Sequence, residues 1–345
     1  MGELWTPEEE SRLRERPYDY AYFNADNPKG RTRKAFQIKR GMLGIEQPVL
    51  HPQSEYSDVL WNKREVTASW RDYLAPMEAM QKLRERTSRS QDYAHIAIAT
   101  DKPTPVAFIS DYHIGSWGVK ADDIARSTDR ILRLHESYNL RVAILGDMLE
   151  MAIRLRSVAE IAGNLLSPGM QIDFARSWVG DLSPLILWAT WDNHSVQREE
   201  ELVGRSSLAE LCAEHTVYHS GIGHTDLTIG DEVYLLATSH RFPGRSLSNP
   251  VMSQMRYMQR EAQDREVVVG GDSHVPGVFQ YNEGGKNRIA ANCGSLQAGS
   301  TYAKRYFSLT SSDAMPVVLF SPDEHIASPF FSLDHFESFA KRHLT

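Results

Sequence analysis

Five short apolar runs in this chain are each followed, within a few residues, by aspartate, asparagine or histidine. Val106–Ile109 leads to Asp111-Tyr112-His113, Val142–Leu145 to Gly146-Asp147-Met148-Leu149-Glu150, and Leu185–Trp188 to Asp192-Asn193-His194. Val233–Leu236 leads to a lone His240, and Val267–Val269 to Gly271-Asp272-Ser273-His274. Runs of this length read as buried strands. The longer stretches between them, Ile124–Leu134, Met151–Leu166, Glu199–Cys212 and Val251–Ala262, read as helices. The alternation predicts an α/β fold. Strand C-terminal ends in such folds open onto a shared crevice, so all five motifs should arrive at one place. Carboxylates, imidazoles and one amide brought to a point are what a pair of divalent cations requires.

Past Arg288 the pattern changes to strands and turns, with Ile289–Ala291, Val317–Leu319 and an apolar stretch at Phe330-Phe331, which predicts a second sheet packed against the first. At 345 residues the chain exceeds one ordinary domain, so a large catalytic core with an extra module is expected. No stretch approaches the roughly 18 consecutive apolar residues that span a bilayer, and Met1–Glu10 is acidic rather than a basic leader. The two cysteines, Cys212 and Cys293, are too few for a disulfide framework and lack zinc-site spacing. The expectation is a soluble, cytoplasmic protein with no membrane partner. A net charge of −7 excludes binding to nucleic acid by bulk charge, so any such contact must come from a local basic patch.

Hydrolysing a phosphate ester at neutral pH needs a strong nucleophile beside an anion that repels it. Two cations about 4 Å apart meet both needs, by acidifying a bridging water to hydroxide and by neutralising phosphate oxygens. Such a pair shares one carboxylate, and Asp147 suits that role because Gly146 allows a sharp turn directly after a strand. Asp111 and His113, two apart on an extended segment, would point the same way and reach one metal. Asn193 adds an amide oxygen.

The order D-x-H, G-D-x-x-D/E, N-H, a lone H and a final x-H pair resembles the calcineurin-like metallophosphoesterases, from about Pro105 to Gln297. The resemblance implies a two-sheet β-sandwich flanked by helices. It implies that Asp111, His113, Asp147 and His274 surround one divalent metal and that Asp147, Asn193, His240 and Asp272 surround the other. His194 then meets the phosphate as general acid or charge stabiliser, with Asp147 also at the catalytic centre. Two departures stand out. Asp192 replaces the glycine of the family's G-N-H triplet, and Asp272 replaces the first histidine of its G-H-x-H motif. The harder carboxylate shifts preference toward manganese, with magnesium, iron or zinc as alternatives. The segment from His240 to Pro250 is similar to a loop of virus-encoded members, and its Arg241 and Arg245 would hold substrate phosphate.

The N-terminal part differs in character. Thr6 reads as an N-cap with Pro7 at the first helical position, and Glu9 completes a capping box. A second helix over Arg33–Leu43 would turn Ala35, Ile38 and Met42 inward and offer Arg31, Arg33, Lys34, Lys39 and Arg40 to nucleic acid. Residues 1–50 thus resemble Myb-like helix-turn-helix modules, 51–100 a helical connector and linker, and 101–345 the catalytic domain. The stripe Trp70, Leu74, Met77, Met80 and Leu83 reads as core packing, and His215, His219 and His224 as surface or loop histidines. Glu150 either starts the next helix or supports His194, and Cys293 reads as a small buried residue near the cleft.

The expected activity is hydrolysis of nucleic-acid phosphodiesters, DNA first, by a two-metal nuclease or phosphodiesterase. The alternatives are a phosphatase or cyclic-nucleotide phosphodiesterase for small or protein substrates, and a catalytically weak DNA-binding protein that keeps its metal site. A homodimer is compatible with the family.

Overall fold

A computed structural model of the chain describes residues 5–15, 30–45, 69–87, 92–153, 164–244, 246, 249–297 and 314–344. It comprises two units, Met1–Gln81 and Lys82–Thr345. In the first, α1 spans Pro7–Glu15 and α2 spans Arg33–Met42. The capping box forms: the Thr6 N–H donates to Glu9 Oε2 at 2.9 Å and the Glu9 N–H to Thr6 Oγ1 at 3.2 Å. The inward residue of α2 is Phe36, packed with Leu13, Trp5, Leu43 and Ile45. Ile38 and Met42, expected inside, are exposed. An aromatic ring one residue after Ala35 shifts the buried stripe around the helix. Helix α3, Leu74–Thr87, carries Leu74, Met77 and Met80 on its exposed surface, so that part of the stripe is not core.

The second unit is built on two six-stranded mixed sheets. In the first, β2 (Thr104–Ile109), β3 (Arg141–Ile144), β4 (Ile186–Thr190) and β5 (Val217–His219) run parallel. Two antiparallel strands, β11 (Val317–Phe320) and β12 (Ala327–Phe330), extend it beyond β2. The second sheet has the order β1-β6-β7-β8-β10-β9, with β1 at Tyr93–Ile98, β6 at Gly223–Ile229 and β7 at Glu232–Thr238. Its other strands are β8 (Val267–Gly270), β9 (Gly277–Glu283) and β10 (Lys286–Asn292). The second sheet was expected to begin past Arg288, but the chain divides differently. β10 pairs with β8, whereas β11 and β12 return to the first sheet. Tyr93–Ile98, expected within the connector, is the edge strand paired with β6.

Helices α4 (Ala121–Tyr138), α5 (Pro168–Leu182), α6 (Gln197–Val203), α7 (Ser207–His215), α8 (Met252–Arg260) and α9 (Leu333–His343) complete the unit. The single helix expected over Glu199–Cys212 is two, because Gly204 at φ 76° closes α6 in a left-handed cap. Of the helix expected over Met151–Leu166, residues 154–163 lie outside the described residues, and Met151 has φ 42°, which is not helical.

All six residues of β2 are buried, as a strand covered on both faces must be. One apolar cluster joins Phe108, Ile144 and Trp188 of the first sheet to Leu227, Tyr234, Leu236 and Val269 of the second. The fully buried Trp188 ring meets Phe108 edge-on at 6.3 Å and donates its N–H to Thr238 Oγ1 on β7 at 2.9 Å. Losing such a side chain typically costs about 3–5 kcal/mol. No helix among the described residues is long and apolar enough to cross a membrane.

At the opposite edge His325, just before β12, bridges the sheets. Its Nδ1 lies 2.9 Å from Glu232 Oε2 and its Nε2 2.7 Å from Glu266 Oε1, while its ring stacks on Tyr234 at 4.8 Å. Partial burial lowers the imidazole pKa, but the hydrogen bonds to Glu266 and Glu232 outweigh that and raise it. A raised folded-state pKa stabilises the fold fully below the unfolded value of about 6.5, and the contribution is lost as pH rises through the folded value. His325→Gln should therefore lower Tm more at about pH 6 than at about pH 9. A Tm difference that is flat across this range would remove the clamp from the account.

Candidate metal centre

The five motifs lie at the C-terminal ends of β2, β3, β4, β7 and β8, so both sheets deliver ligands to one place. Beyond β2 and β3 the chains stay paired: the Asp111 N–H donates to the Gly146 carbonyl at 3.1 Å, His113 to Asp147 at 3.0 Å and Ile114 to Met148 at 2.9 Å. Beyond β7 and β8, the Gly271 N–H donates to the His240 carbonyl at 3.0 Å. The extended backbone expected at Asp111 and His113 is absent. Asp111, His113, Asp147, Asp272 and His274 all adopt left-handed conformations, with φ of 57°, 46°, 50°, 63° and 58°. Aspartate and histidine tolerate this region better than most residues, yet each such residue stores roughly 1–3 kcal/mol. Gly146 is required twice over, since it has φ 88° and a Cβ there would sit 2.4 Å from Asp192 Cβ.

The side chains converge. His274 Nε2 lies 3.2 Å from Asp111 Oδ1 and 3.1 Å from His113 Nε2, which in turn is 3.9 Å from Asp147 Oδ2. His240 Nε2 lies 3.1 Å from Asp147 Oδ2 and 3.9 Å from Asp272 Oδ1. Asp111, His113 and His274 form one group whose ligand atoms could hold an ion. Asp111, Asp147 and His240 form a second, and His113, Asp147 and His194 a third. Asp111, His113 and Asp147 each occur in two of the three. Asn193 Oδ1 is buried without a hydrogen-bond partner, while Asp111 Oδ1 and His240 Nε2, which make no well-formed hydrogen bond, face His274 Nε2 at 3.2 Å and Asp147 Oδ2 at 3.1 Å. Buried polar atoms so poorly satisfied on three separate loops are costly unless a cation completes them. The mixed oxygen and nitrogen donor set therefore fits divalent metal ions.

Charge in the centre is balanced among these groups. Burial would push the Asp111 carboxyl up, but the imidazoles of His274 and His113 hold it well below the usual carboxylate range. Asp147 is lowered in the same way, chiefly by His240 and His194. Asp192 goes the other way, raised to about 7 by burial and by Asp147. Its Oδ1 accepts the Ser195 and Val196 N–H groups at 2.6 and 2.9 Å, so it shapes the turn that carries Asn193 and His194. The His194 N–H donates to Asp147 Oδ1 at 3.0 Å, which fastens that turn to the shared carboxylate. Burial lowers the His194 imidazole to about 4, so at neutral pH the ring is neutral.

Glu150 begins no described helix. Its Oε2 lies 3.0 Å from His113 Nδ1 and its Oε1 3.7 Å from His194 Nδ1. The carboxylate thus orients His113 more directly than His194, in the manner of a group bonded behind a metal-bound imidazole.

Arg198 was not read from the sequence. It is buried, donates to the Glu150 carbonyl at 2.7 Å and places Nη2 3.2 Å from His194 Nε2. Guanidinium only donates, so His194 Nε2 accepts and the ring proton sits on Nδ1. The available signal was spacing: Arg198 follows His194 by four residues, one helical turn onto α6.

Arg241 is exposed, with Nε 3.5 Å from Asp272 Oδ2, and Arg245 lies outside the described residues. Cys293 is buried, with Sγ 3.4 Å from the Phe108 carbonyl. His219, expected at the surface, is fully buried, with Nε2 3.3 Å from Thr225 Oγ1. Apolar neighbours on both sides of β5 carry it inward. In the first unit Arg31 pairs with Glu9 at 2.9 Å and Lys39 with Glu10 at 2.6 Å, while Arg33 and Lys34 are exposed.

No family model and no curated protein matches the sequence. Among solved structures, the chain is similar to a conserved Streptococcus pneumoniae protein described as a predicted phosphoesterase. The identity is 11%, over 67% of this chain and 99% of that one, with a TM-score of 0.31. It is similar to a metallophosphoesterase from Sphaerobacter thermophilus at 13% identity, over 69% and 93% of the two chains, with a TM-score of 0.30. For a nuclease from Pseudomonas putida the values are 13%, 65% and 87%, with a TM-score of 0.28.

Manganese added to metal-free protein should raise Tm, by an amount equivalent to about 2.7 kcal/mol when the free ion is 100 times its Kd. Asp147→Asn should abolish that rise and leave metal content near zero by elemental analysis. An undiminished rise in the variant would show that the ion sits elsewhere. Two mixed sheets thus bring the five motifs together at their strand ends, in the order read from the sequence.

Proposed function

We propose that this chain is a metal-dependent nuclease or phosphodiesterase acting on nucleic acid, DNA first. The observation that carries the reading is the convergence of Asp111, His113, Asp147, His240 and His274 in groups able to hold an ion, with Asn193 Oδ1 buried and without a hydrogen-bond partner on the turn that is fastened to Asp147. Asp111, His113, Asp147 and His274 would hold one divalent cation, and Asp147, Asn193, His240 and Asp272 the other. Bound there, the pair would supply positive charge for phosphate oxygens and a lowered pKa for an attacking water. The protein's own groups do the rest. Asp147 anchors the His194 turn, Glu150 fixes the His113 ring, and Arg198 holds His194 with its proton on Nδ1. A neutral, oriented ring beside a buried guanidinium suits stabilisation of developing charge better than donation from an imidazolium. Arg241, exposed at Asp272, is a candidate phosphate contact.

The nucleic-acid part of the reading rests on Arg33 and Lys34, exposed on α2. The pairing of Arg31 and Lys39 with Glu9 and Glu10 favours the second reading, a phosphoesterase for small or protein substrates, because it takes two cations out of the basic face.

A manganese-supplemented panel of plasmid, oligonucleotide, nucleoside monophosphate, cyclic nucleotide and phosphopeptide separates the two. Cleavage of DNA is expected, and His194→Ala should lower it about 10²–10³-fold while retaining metal. Replacing Arg33 and Lys34 by alanine should weaken DNA binding and reduce its salt dependence by roughly one unit of slope per lost phosphate contact. Turnover of the monoester or phosphopeptide alone would establish the second reading. DNA binding without turnover of anything would leave a binding protein with a retained metal site. Asp272→His should shift metal preference toward zinc, read as relative affinity in competition with manganese.

A further inference from the structure

Four residues after His113 the chain carries Trp117, which is 67% exposed. The turn beneath it is firmly held. The Ser116 N–H donates to the His113 carbonyl at 3.0 Å, and Ser116 Oγ accepts from Gln297 Nε2 at 3.0 Å and from the Gly118 N–H at 3.2 Å. Gly115 stands at φ 96° where a Cβ would lie 2.5 Å from the Gln171 side chain, and a Cβ on Gly118 would lie 2.9 Å from Gln297 Cγ. Alongside, the Leu165 N–H donates to the Gly115 carbonyl at 2.6 Å, and the Leu165 side chain is 51% exposed. An indole and an isobutyl group are thus left in water on a segment whose backbone is packed and bonded, although such groups gain roughly 25 cal/mol per Å² when covered.

The hydrogen-bonded turn puts the Cα atoms of His113 and Ser116 within about 7 Å, and one further residue adds about 3.8 Å. Trp117 Cα is therefore no more than about 11 Å from that of His113, a candidate metal ligand. A flat π-face at that range, on a rigid loop, matches the stacking platforms that hold single-stranded bases. We infer that Trp117, flanked by Leu165, stacks the nucleobase next to the phosphate being hydrolysed, so that the substrate is a single-stranded or frayed nucleic acid presenting an unpaired base. This rests on the nucleic-acid reading above and deepens it.

The test uses the full manganese-loaded chain with two six-nucleotide phosphorothioate probes of equal charge, one carrying thymine bases and one fully abasic. Binding is followed by intrinsic fluorescence and anisotropy. The parent should bind the base-bearing probe about tenfold or more tightly than the abasic one, with quenching. Trp117→Ala should bring the two affinities together without changing that for the abasic probe, and Trp117→Phe should keep most of the preference. Parent discrimination that persists in Trp117→Ala, with cleavage of ordinary DNA intact, would overturn the stacking role alone. No discrimination by the parent, together with no cleavage of DNA, would overturn the nucleic-acid reading and the platform with it. If Trp117→Ala changed only the sedimentation of the protein, the indole would be an interface between copies and the inference would fall.

Discussion

Five acid and imidazole residues of one small volume stand in left-handed backbone conformations, and the remainder of the molecule is arranged to keep them there. At roughly 1–3 kcal/mol each, the strain sums to about the net stability of a typical domain. It is held because each strained residue lies within four residues of the end of a largely buried strand. The carbonyls and amides of neighbouring loops then continue the sheet pairing past the strands, as between Asp111 and Gly146 or Gly271 and His240. Asp111 and His113 both meet His274, at 3.2 and 3.1 Å.

The same constraint explains which departures from the family pattern the fold accepts. Asp192 stands where glycine would be expected, and its Cβ lies so close that Gly146 must lack one. The glycine freedom is supplied once, at Gly146, and the Asp192 carboxylate is spent on capping the turn that bears Asn193 and His194. Asp272 places a carboxylate 3.9 Å from His240 Nε2 and 3.5 Å from the exposed Arg241, so it supplies a partner for the guanidinium.

Much of this was legible from residue order, because a strand that is buried on both faces must be written as a run such as Val-Ala-Phe-Ile, and a ligand at its end as the polar residue that follows. Of the flanking helices α4 and α8 were legible from their spacing, α6 and α7 were read as one, and α5 and α9 were not read. Where the sheets divide was not. Val317–Phe320 reads the same whether it pairs with β10 or with β2, since register and partner are decided by long-range packing that periodicity does not encode. The left-handed ligands were hidden too, because only glycine announces that conformation, and Asp111 and Asp147 adopt it under tertiary compulsion. Arg198 was missed because an arginine in Gln-Arg-Glu-Glu reads as a solvated helix face. Only the folded position of Glu150 turns it inward.

Charge completes the argument. Burial alone would lower the imidazole of His113, yet its hydrogen bonds to Asp111 and Glu150 raise it to about 10, and His240 is raised by Asp147 against the same effect of burial. The charge of Asp111, Asp147 and Glu150 is thus offset in part by protons on His113 and His240. A divalent ion held among Asp111, Asp147 and His240 would compete for the lone pairs those protons occupy, so its binding would weaken as pH falls.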